Sequence, residues 1–448
     1  MKIQFGIGRK CINPEFPISL AGYFNTRIWD RILDDIEVRA IVFKGEKGNF
    51  AILHFDLLSI SYPFYIDVIE AVHNAGFTEF EEENILISAI HTHTAPDINN
   101  CANSGEYRKF AAARAAEALK DAMANFEEGE VFSAMANDTR FQFNRRYWMK
   151  DGTVLTNPGK LNPDIDRPEG TIDPEIPMLV IKNNEGIKLL LASIVNHTDT
   201  IGGCGVSADW SGFLRRTLEP EMADGAMVVS LIGCAGNINH FDVSTDMDQT
   251  CYAEAERIGR GYAESIRKVW NDLKEVEGDS FEFSSFKVES APREISAEEI
   301  AEAEAVMAKY PDVDINAGGD MTSEDLAKKT PVVLKFFAEK LLKQAECKFN
   351  PVFRMSVLKF GKSAVIATLP SEPFVEIGLI VRKSVFSGKH CLISSHGNYN
   401  GGGHFIGGYI PNSWNYGRGG YESTPRSSGY SVHTADRLLK AYIDNFTE

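Results

Sequence analysis

The sequence predicts an α/β protein in which mixed β-sheets are flanked by helices. Three observations carry this expectation. Short apolar or alternating runs interleave with stretches of 3.6-residue periodicity through the first half of the chain. Two pairs of apolar runs are separated by turn residues at hairpin spacing. A strongly helical stretch near 295–347 interrupts the sheet pattern before it resumes.

Taken in order, EVRAIVFKG (37–45) alternates and NFAILHFDLLSI (49–60) is more continuously apolar, so both read as strands. FYIDVIEAVHNAG reads as a helix closed by Gly76. NILISAI (84–90) is a short apolar run, a buried strand. Residues 104–126 combine high helix propensity with helical apolar spacing. MLVIKN and KLLLASIVNH flank the NNEG turn (183–186) as a hairpin. AMVVSLIG (226–233) is another buried strand, and 249–273 a helix. SAEEIAEAEAVMAKY opens with a capping box, Ser296 followed by Glu299. With a second helical stretch from Asp320 to Lys343 it forms a helical insertion near 295–347, not a separate domain. VFRMSVLKFGKSAVIATLP is the second hairpin pattern. The stretch 396–430 is rich in Gly, Asn, Tyr and Ser. Its neighbourhood of aromatics (Tyr399, Phe405, Tyr409, Trp414, Tyr416, Tyr421) argues for a packed functional loop, because disordered segments are poor in aromatics.

The bulk numbers exclude some classes. A net charge of −17 repels nucleic acid and anionic membranes at long range. The seven cysteines are scattered and form no CxxC pair, against a disulfide framework or a cysteine-based zinc ribbon. No apolar stretch approaches the length of a membrane span, and MKIQFGIGRKCINP lacks the features of a signal peptide. The expected location is cytoplasmic, and the expected partner is a small molecule, not a nucleic acid or a membrane interior.

Chemistry gathers at strand ends. His91-Thr92-His93-Thr94-Ala95-Pro96 follows the strand NILISAI. On an extended chain the two imidazoles, two residues apart, would project to one side, and imidazole is the commonest biological metal ligand. Alone, such a pair fits a core hydrogen-bonding role equally well. Ser193 to His197 repeats the design, an apolar strand ending in a histidine, with Gly-rich residues 201–205 after it. Asp209 in SADWSG reads as an N-cap or as a carboxylate orienting an imidazole. Gly233 to His240 follows the strand AMVVSLI with small residues that permit close backbone approach. Leu369-Pro370-Ser371-Glu372-Pro373 places a glutamate at a fourth strand end. Such convergence is what an active site requires. His54 and His73 read as ordinary core or surface histidines. His396 and His404 read as loop packing, with substrate or a second metal as the alternative, and Glu79–Glu83 as a solvated turn.

At this point the chain resembles the neutral (non-lysosomal) ceramidases. HTHTAP (91–96) resembles their HTHSGP, Asn144-Arg145 their NRS, SADWSG their SADWPG-like segment, and LPSE (369–372) their VPGE. Gly408-Tyr409-Ile410-Pro411 resembles GYxxT, Tyr421-Glu422-Ser423-Thr424 resembles YEGAST, and GIGRKCINPEFPISLAGY resembles the family opening GxGRxDITP…AGY. The ordered set spans about residues 5 to 425. The resemblance implies one ceramidase-like catalytic domain over residues 1–448 and a zinc ion held by His91, His197, Glu372 and Tyr409. It implies hydrolysis of an amide by metal-activated water. Arg145 and Tyr421 would stabilise the oxyanion, and His93 would exchange protons with the leaving amine.

The chain also departs from the family. Gly236-Asn237-Ile238-Asn239 stands where ceramidases carry GDVS, so Asn239 replaces the family serine. Asparagine can donate and accept hydrogen bonds but is no comparable nucleophile, and the substrate need not be ceramide. The chain ends at Glu448, 24 residues past Thr424, too few for the family's C-terminal immunoglobulin-like domain. Two other readings follow. One is a metal- or ligand-binding relative without catalysis, motivated by Asn239. The other is a thiol hydrolase using Cys234, with His240 or His197 as base.

Overall fold

Continuously apolar strands need two buried faces, and the fold supplies them. A computed structural model describes residues 1–315, 325, 328–399 and 408–447. Its main path is a large mixed sheet in the order Met227–Ile232, Gly186–Ile194, Glu175–Asn183, Glu127–Asn137, Lys2–Cys11, Glu37–Gly45, Gly48–Phe55 and Ile85–Ala89. The pairs at its two ends, Gly48–Phe55 with Ile85–Ala89 and Gly186–Ile194 with Met227–Ile232, are parallel. A second sheet runs Phe281–Glu289, Val352–Phe360, Ala364–Thr368 and His390–Ser394.

Side chains alternate between two apolar cores. Val38, Ala40 and Val42 join Leu53, Ile87 and Val180 against helices Tyr62–Asn74, Ser104–Ala124, Asp209–Leu218 and Tyr252–Arg267. Ile41, Phe43, Ile52, Leu86 and Leu179 pack on Leu358, Phe360, Ile366 and Leu392 of the second sheet. The outer face of that sheet meets Val375–Ile380 and Thr434–Phe446 through Phe353, Val365, Ile377 and Leu438. The layers therefore run helices, sheet, sheet, helices. The helical layer lies tight on the sheet because Gly6 and Gly8 face it. A Cβ on either would fall 1.9 Å from the Ala122 carbonyl oxygen or 2.2 Å from that of Ala118.

Most predicted elements are present, with shifted ends. Both hairpins form, Glu175–Asn183 with Gly186–Ile194 and Val352–Phe360 with Ala364–Thr368. The 249–273 helix is Tyr252–Arg267. The run 49–60 stops being strand at Phe55. The capping box at Ser296 opens helix Ala297–Lys309, which packs on Pro331–Ala345 to make the helical insertion. Asp320, His404 and Phe405 lie outside the described residues. The central strand Glu127–Asn137 carries no strand signature at its start, because EEGE opens it immediately after a helix. The run Glu79–Glu83 is more than a solvated turn: Glu82 pairs with Arg354 and with Lys287. No described helix is long and apolar enough to cross a membrane.

Strand twist accumulates across the large sheet, and its two edges come together. His54, a core histidine as expected, bridges them. Its Nδ1 lies 2.8 Å from Ser88 Oγ on one edge strand and its Nε2 3.0 Å from the Ser230 carbonyl on the other. This closure brings the loops after Ala89 and after Ile194 side by side, although their strands are far apart in the sheet order.

Candidate metal centre

The two loops are joined by a parallel bridge between Thr92 and Thr198. The His93 N–H donates to the Thr198 carbonyl at 3.1 Å, and the Thr198 hydroxyl to the Ile90 carbonyl at 2.6 Å. The bridge aligns the preceding residues, His91 and His197. The strand-alternation argument does not hold for His91 and His93, because the strand ends at Ala89 and His91 has a φ of 65°. A turn, not an extended chain, brings their rings to 4.9 Å.

His91 Nε2 lies 3.1 Å from His197 Nε2 and 3.4 Å from His93 Nε2. The Glu372 Oε2 atom lies 3.2 Å from the first and 3.6 Å from the second. The other ring nitrogens define the tautomers. His91 Nδ1 faces the Leu58 carbonyl at 2.8 Å and His197 Nδ1 the Ala235 carbonyl at 3.1 Å. A carbonyl only accepts, so each Nδ1 carries a proton and each neutral imidazole presents a bare lone pair at Nε2. Two lone pairs and a carboxylate oxygen then face one another. Glu372 Oε2 is buried and makes no hydrogen bond beyond its 3.2 Å contact with His91 Nε2. The donor set of imidazoles and a carboxylate fits a divalent cation such as zinc. His91, His93 and His197 form a buried group able to hold a metal ion.

Burial pulls the His197 imidazole well below its ordinary range, with Arg145 adding to the effect. Burial, then His91, does the same to His93. Neutral rings at neutral pH are what ligation needs. His93 Nδ1 sits 3.7 Å from Asp199 Oδ1, which accepts from the Tyr23 hydroxyl at 2.7 Å. His396 stacks on His91 with centroids 4.1 Å apart, a packing contact on the candidate ligand's ring.

Glu372 starts a two-residue strand paired with Tyr409–Ile410, so Glu372 and Tyr409 are backbone partners. Gly236 is packed beneath this pair: a Cβ there would lie 2.4 Å from the Glu372 carbonyl oxygen. The Tyr409 hydroxyl is 2.8 Å from that of Tyr421. Burial pushes the Tyr409 hydroxyl well above its usual range, although Arg145 opposes this, so it is a phenol in the absence of a bound cation. The Arg145 guanidinium lies 5.2 Å from the Tyr409 ring and 5.5 Å from the Tyr421 ring. It is held by Glu422 at 2.9 Å and by the Gly236 carbonyl at 2.7 Å.

One reading changes. Asp209 touches no imidazole in its described bonds and is not the N-cap, which is Ala208. Its carboxylate accepts from the Thr200 backbone and hydroxyl and from the Trp210 N–H, fixing the loop after His197. Trp210 Nε1 in turn donates to the His197 carbonyl at 2.8 Å. Asn239 donates to Asn157 Oδ1 at 2.9 Å and accepts from the Phe241 N–H at 3.2 Å, so its amide is used in joining loops. Cys234 is packed in the apolar core behind the site, and burial pushes its thiol well above the ordinary range. A thiolate nucleophile has no support there.

This arrangement defines an α/β fold with a buried imidazole–carboxylate centre at converging strand ends. Neutral ceramidases are among the solved structures that share this fold. A crystal structure of neutral ceramidase from Pseudomonas aeruginosa is similar at a TM-score of 0.70 and 16% identity, over 99% of this chain and 74% of that one. A structure of ceramidase complexed with C2 is similar by the same measures, TM-score 0.70 and 16% identity. No protein-family model and no curated protein matches the chain. The fold is neutral ceramidase-like, as the ordered motifs implied.

Proposed function

We propose that this chain is a zinc-dependent hydrolase of amide bonds. The observation that carries the reading is the mutual facing of His91 Nε2, His197 Nε2 and the buried Glu372 Oε2. That grouping costs free energy unless a cation lies among its members. His91, His197 and Glu372 would hold the ion, with Tyr409 as a fourth ligand and His93 adjoining. A divalent cation bound there supplies Lewis acidity and lowers the pKa of water.

The remaining roles belong to the chain. Arg145, fixed on Glu422 and Gly236, sets its positive charge beside the Tyr409 and Tyr421 rings. Arg145 and Tyr421 would stabilise the negative charge that develops on the amide oxygen. His93, neutral and beside Asp199, can take a proton from the attacking water at Nε2 and deliver it to the departing amine, which leaves poorly without one. Asn239, locked into its loop, stands as a positioning residue in this scheme. The substrate is a small or N-acylated amide.

The test is metal content and turnover together. Wild type is expected to hold about one zinc, and a His91→Ala, His197→Ala double variant none, with chelator-sensitive hydrolysis across a panel of N-acyl amides. Absence of metal in wild type after zinc is added back would sink the reading. Bound zinc without turnover on the panel would replace it with a non-catalytic binding role.

A further inference from the structure

Burying a guanidinium that has neither a carboxylate nor a hydrogen-bond acceptor is costly. Arg145, Arg146, Arg215 and Arg382 each have a carboxylate, and Arg27 and Arg293 bond backbone carbonyls. Arg426 has no ion pair or hydrogen bond among the described residues. Its guanidinium is instead surrounded by rings, 4.2 Å from Phe336, 4.6 Å from Phe24 and 5.2 Å from Phe337. Phe336 and Phe337 come from the helical insertion and Phe24 from the N-terminal loop. Lys340 brings a second cation to the same rings, 5.7 Å from Phe336. Burial pulls Arg426 down to about 10, which leaves it charged at neutral pH, and Lys340 is lowered by burial and then by Arg426.

The cage adjoins the metal centre on two sides. The residue after Arg426, Ser427, accepts the Tyr409 N–H at 3.1 Å, and Tyr409 is the backbone partner of Glu372. The residue before Phe24, Tyr23, bonds Asp199 at 2.7 Å and meets the His93 ring edge-on at 5.8 Å. A guanidinium whose surroundings are aromatic keeps N–H donors for a planar anion, the bidentate geometry arginine offers to carboxylates and phosphates.

We infer that Arg426, assisted by Lys340, binds an anionic group of the substrate, so that the amide cleaved at this site carries a carboxylate or phosphate beside an apolar portion lying on Phe24, Phe336 and Phe337. The inference deepens the amide-hydrolase reading and rests on it for the word substrate, but the binding site itself is testable without turnover.

The experiment is calorimetric binding to the full chain, with and without zinc, of three probes sharing one acyl chain: N-hexanoylglycine, its neutral isostere N-hexanoylglycinamide, and N-hexanoyl-O-phosphoethanolamine. Wild type is expected to bind at least one anionic probe roughly tenfold or more tightly than the neutral one. Whichever is tighter identifies carboxylate or phosphate as the source. Arg426→Gln abolishes the preference, Arg426→Lys retains part of it, and Lys340→Gln reduces it by a smaller factor. Lys340→Gln keeps the test open if Arg426→Gln does not fold. Equal affinity for all three probes, no binding of any at millimolar concentration, or a preference that survives in Arg426→Gln would overturn the inference. Hydrolysis without an anion preference sinks this inference and leaves the amide reading. An anion preference without hydrolysis does the reverse.

Discussion

Glu372→Gln reverses the sign of one interaction while nearly preserving shape. In the metal-free protein Glu372 Oε2 opposes the lone pairs of His91 and His197 at 3.2 and 3.6 Å. A glutamine can turn an N–H toward one of them, so the variant is expected to melt at or above wild type in chelator. With zinc the order inverts. A cation present at 100 times its Kd stabilises by about 2.7 kcal/mol. An unfolding entropy of about 2.1 cal/mol/K per residue over 448 residues makes that a rise of about 3 °C for wild type. Loss of the charged ligand weakens binding by about 10- to 100-fold, which leaves roughly 0.4–1.4 kcal/mol, or about 0.5–1.5 °C. Scanning calorimetry of both proteins, with chelator and with zinc, reads the four melting points. A variant that melts below wild type in chelator and gains as much from zinc would refute the opposed-acceptor argument.

Two further outcomes follow from packing and burial. Gly236→Ala places a Cβ 2.4 Å from the Glu372 carbonyl oxygen and must displace that peptide. Zinc affinity, measured by chelator competition, is expected to fall roughly tenfold although no ligand is altered, as support-residue changes do; unchanged affinity would contradict the geometry. Burial pulls His54 down to about 3, so between that pH and about 6.5 the unfolded chain binds the extra proton and the folded chain does not. Its contribution is fully present above pH 6.5 and is lost as pH falls, at about 1.4 kcal/mol per pH unit. His54→Gln should therefore make the urea-unfolding free energy less dependent on pH, by about 2 kcal/mol between pH 7 and 5. An unaltered slope would show that His54 does not titrate this way.

Local readings succeeded where one stretch of chain determines the outcome. A capping box needs only Ser296 and Glu299, and a hairpin only two apolar runs and a turn, so both were legible. Strand Glu127–Asn137 was not, because its glutamates are tolerated only by the neighbours it acquires in the sheet. His91 and His93 were rightly set side by side, but for a geometric reason that the turn at His91 replaces. The cage around Arg426 had no sequence signal, since its rings come from residues 24, 336 and 337.

By itself the sequence determined the chemistry available at each strand end: imidazoles at His91, His93 and His197, a carboxylate at Glu372, a guanidinium at Arg145 and phenols at Tyr409 and Tyr421. Only the tertiary structure decided that these groups meet. Twist brings the edges of the large sheet together, the Thr92–Thr198 bridge then aligns two histidines, and the second sheet delivers Glu372 from the opposite layer. The physical reason is range. Backbone propensity and side-chain pattern act over a few residues, whereas the facing of Nε2, Nε2 and Oε2 depends on how whole layers pack.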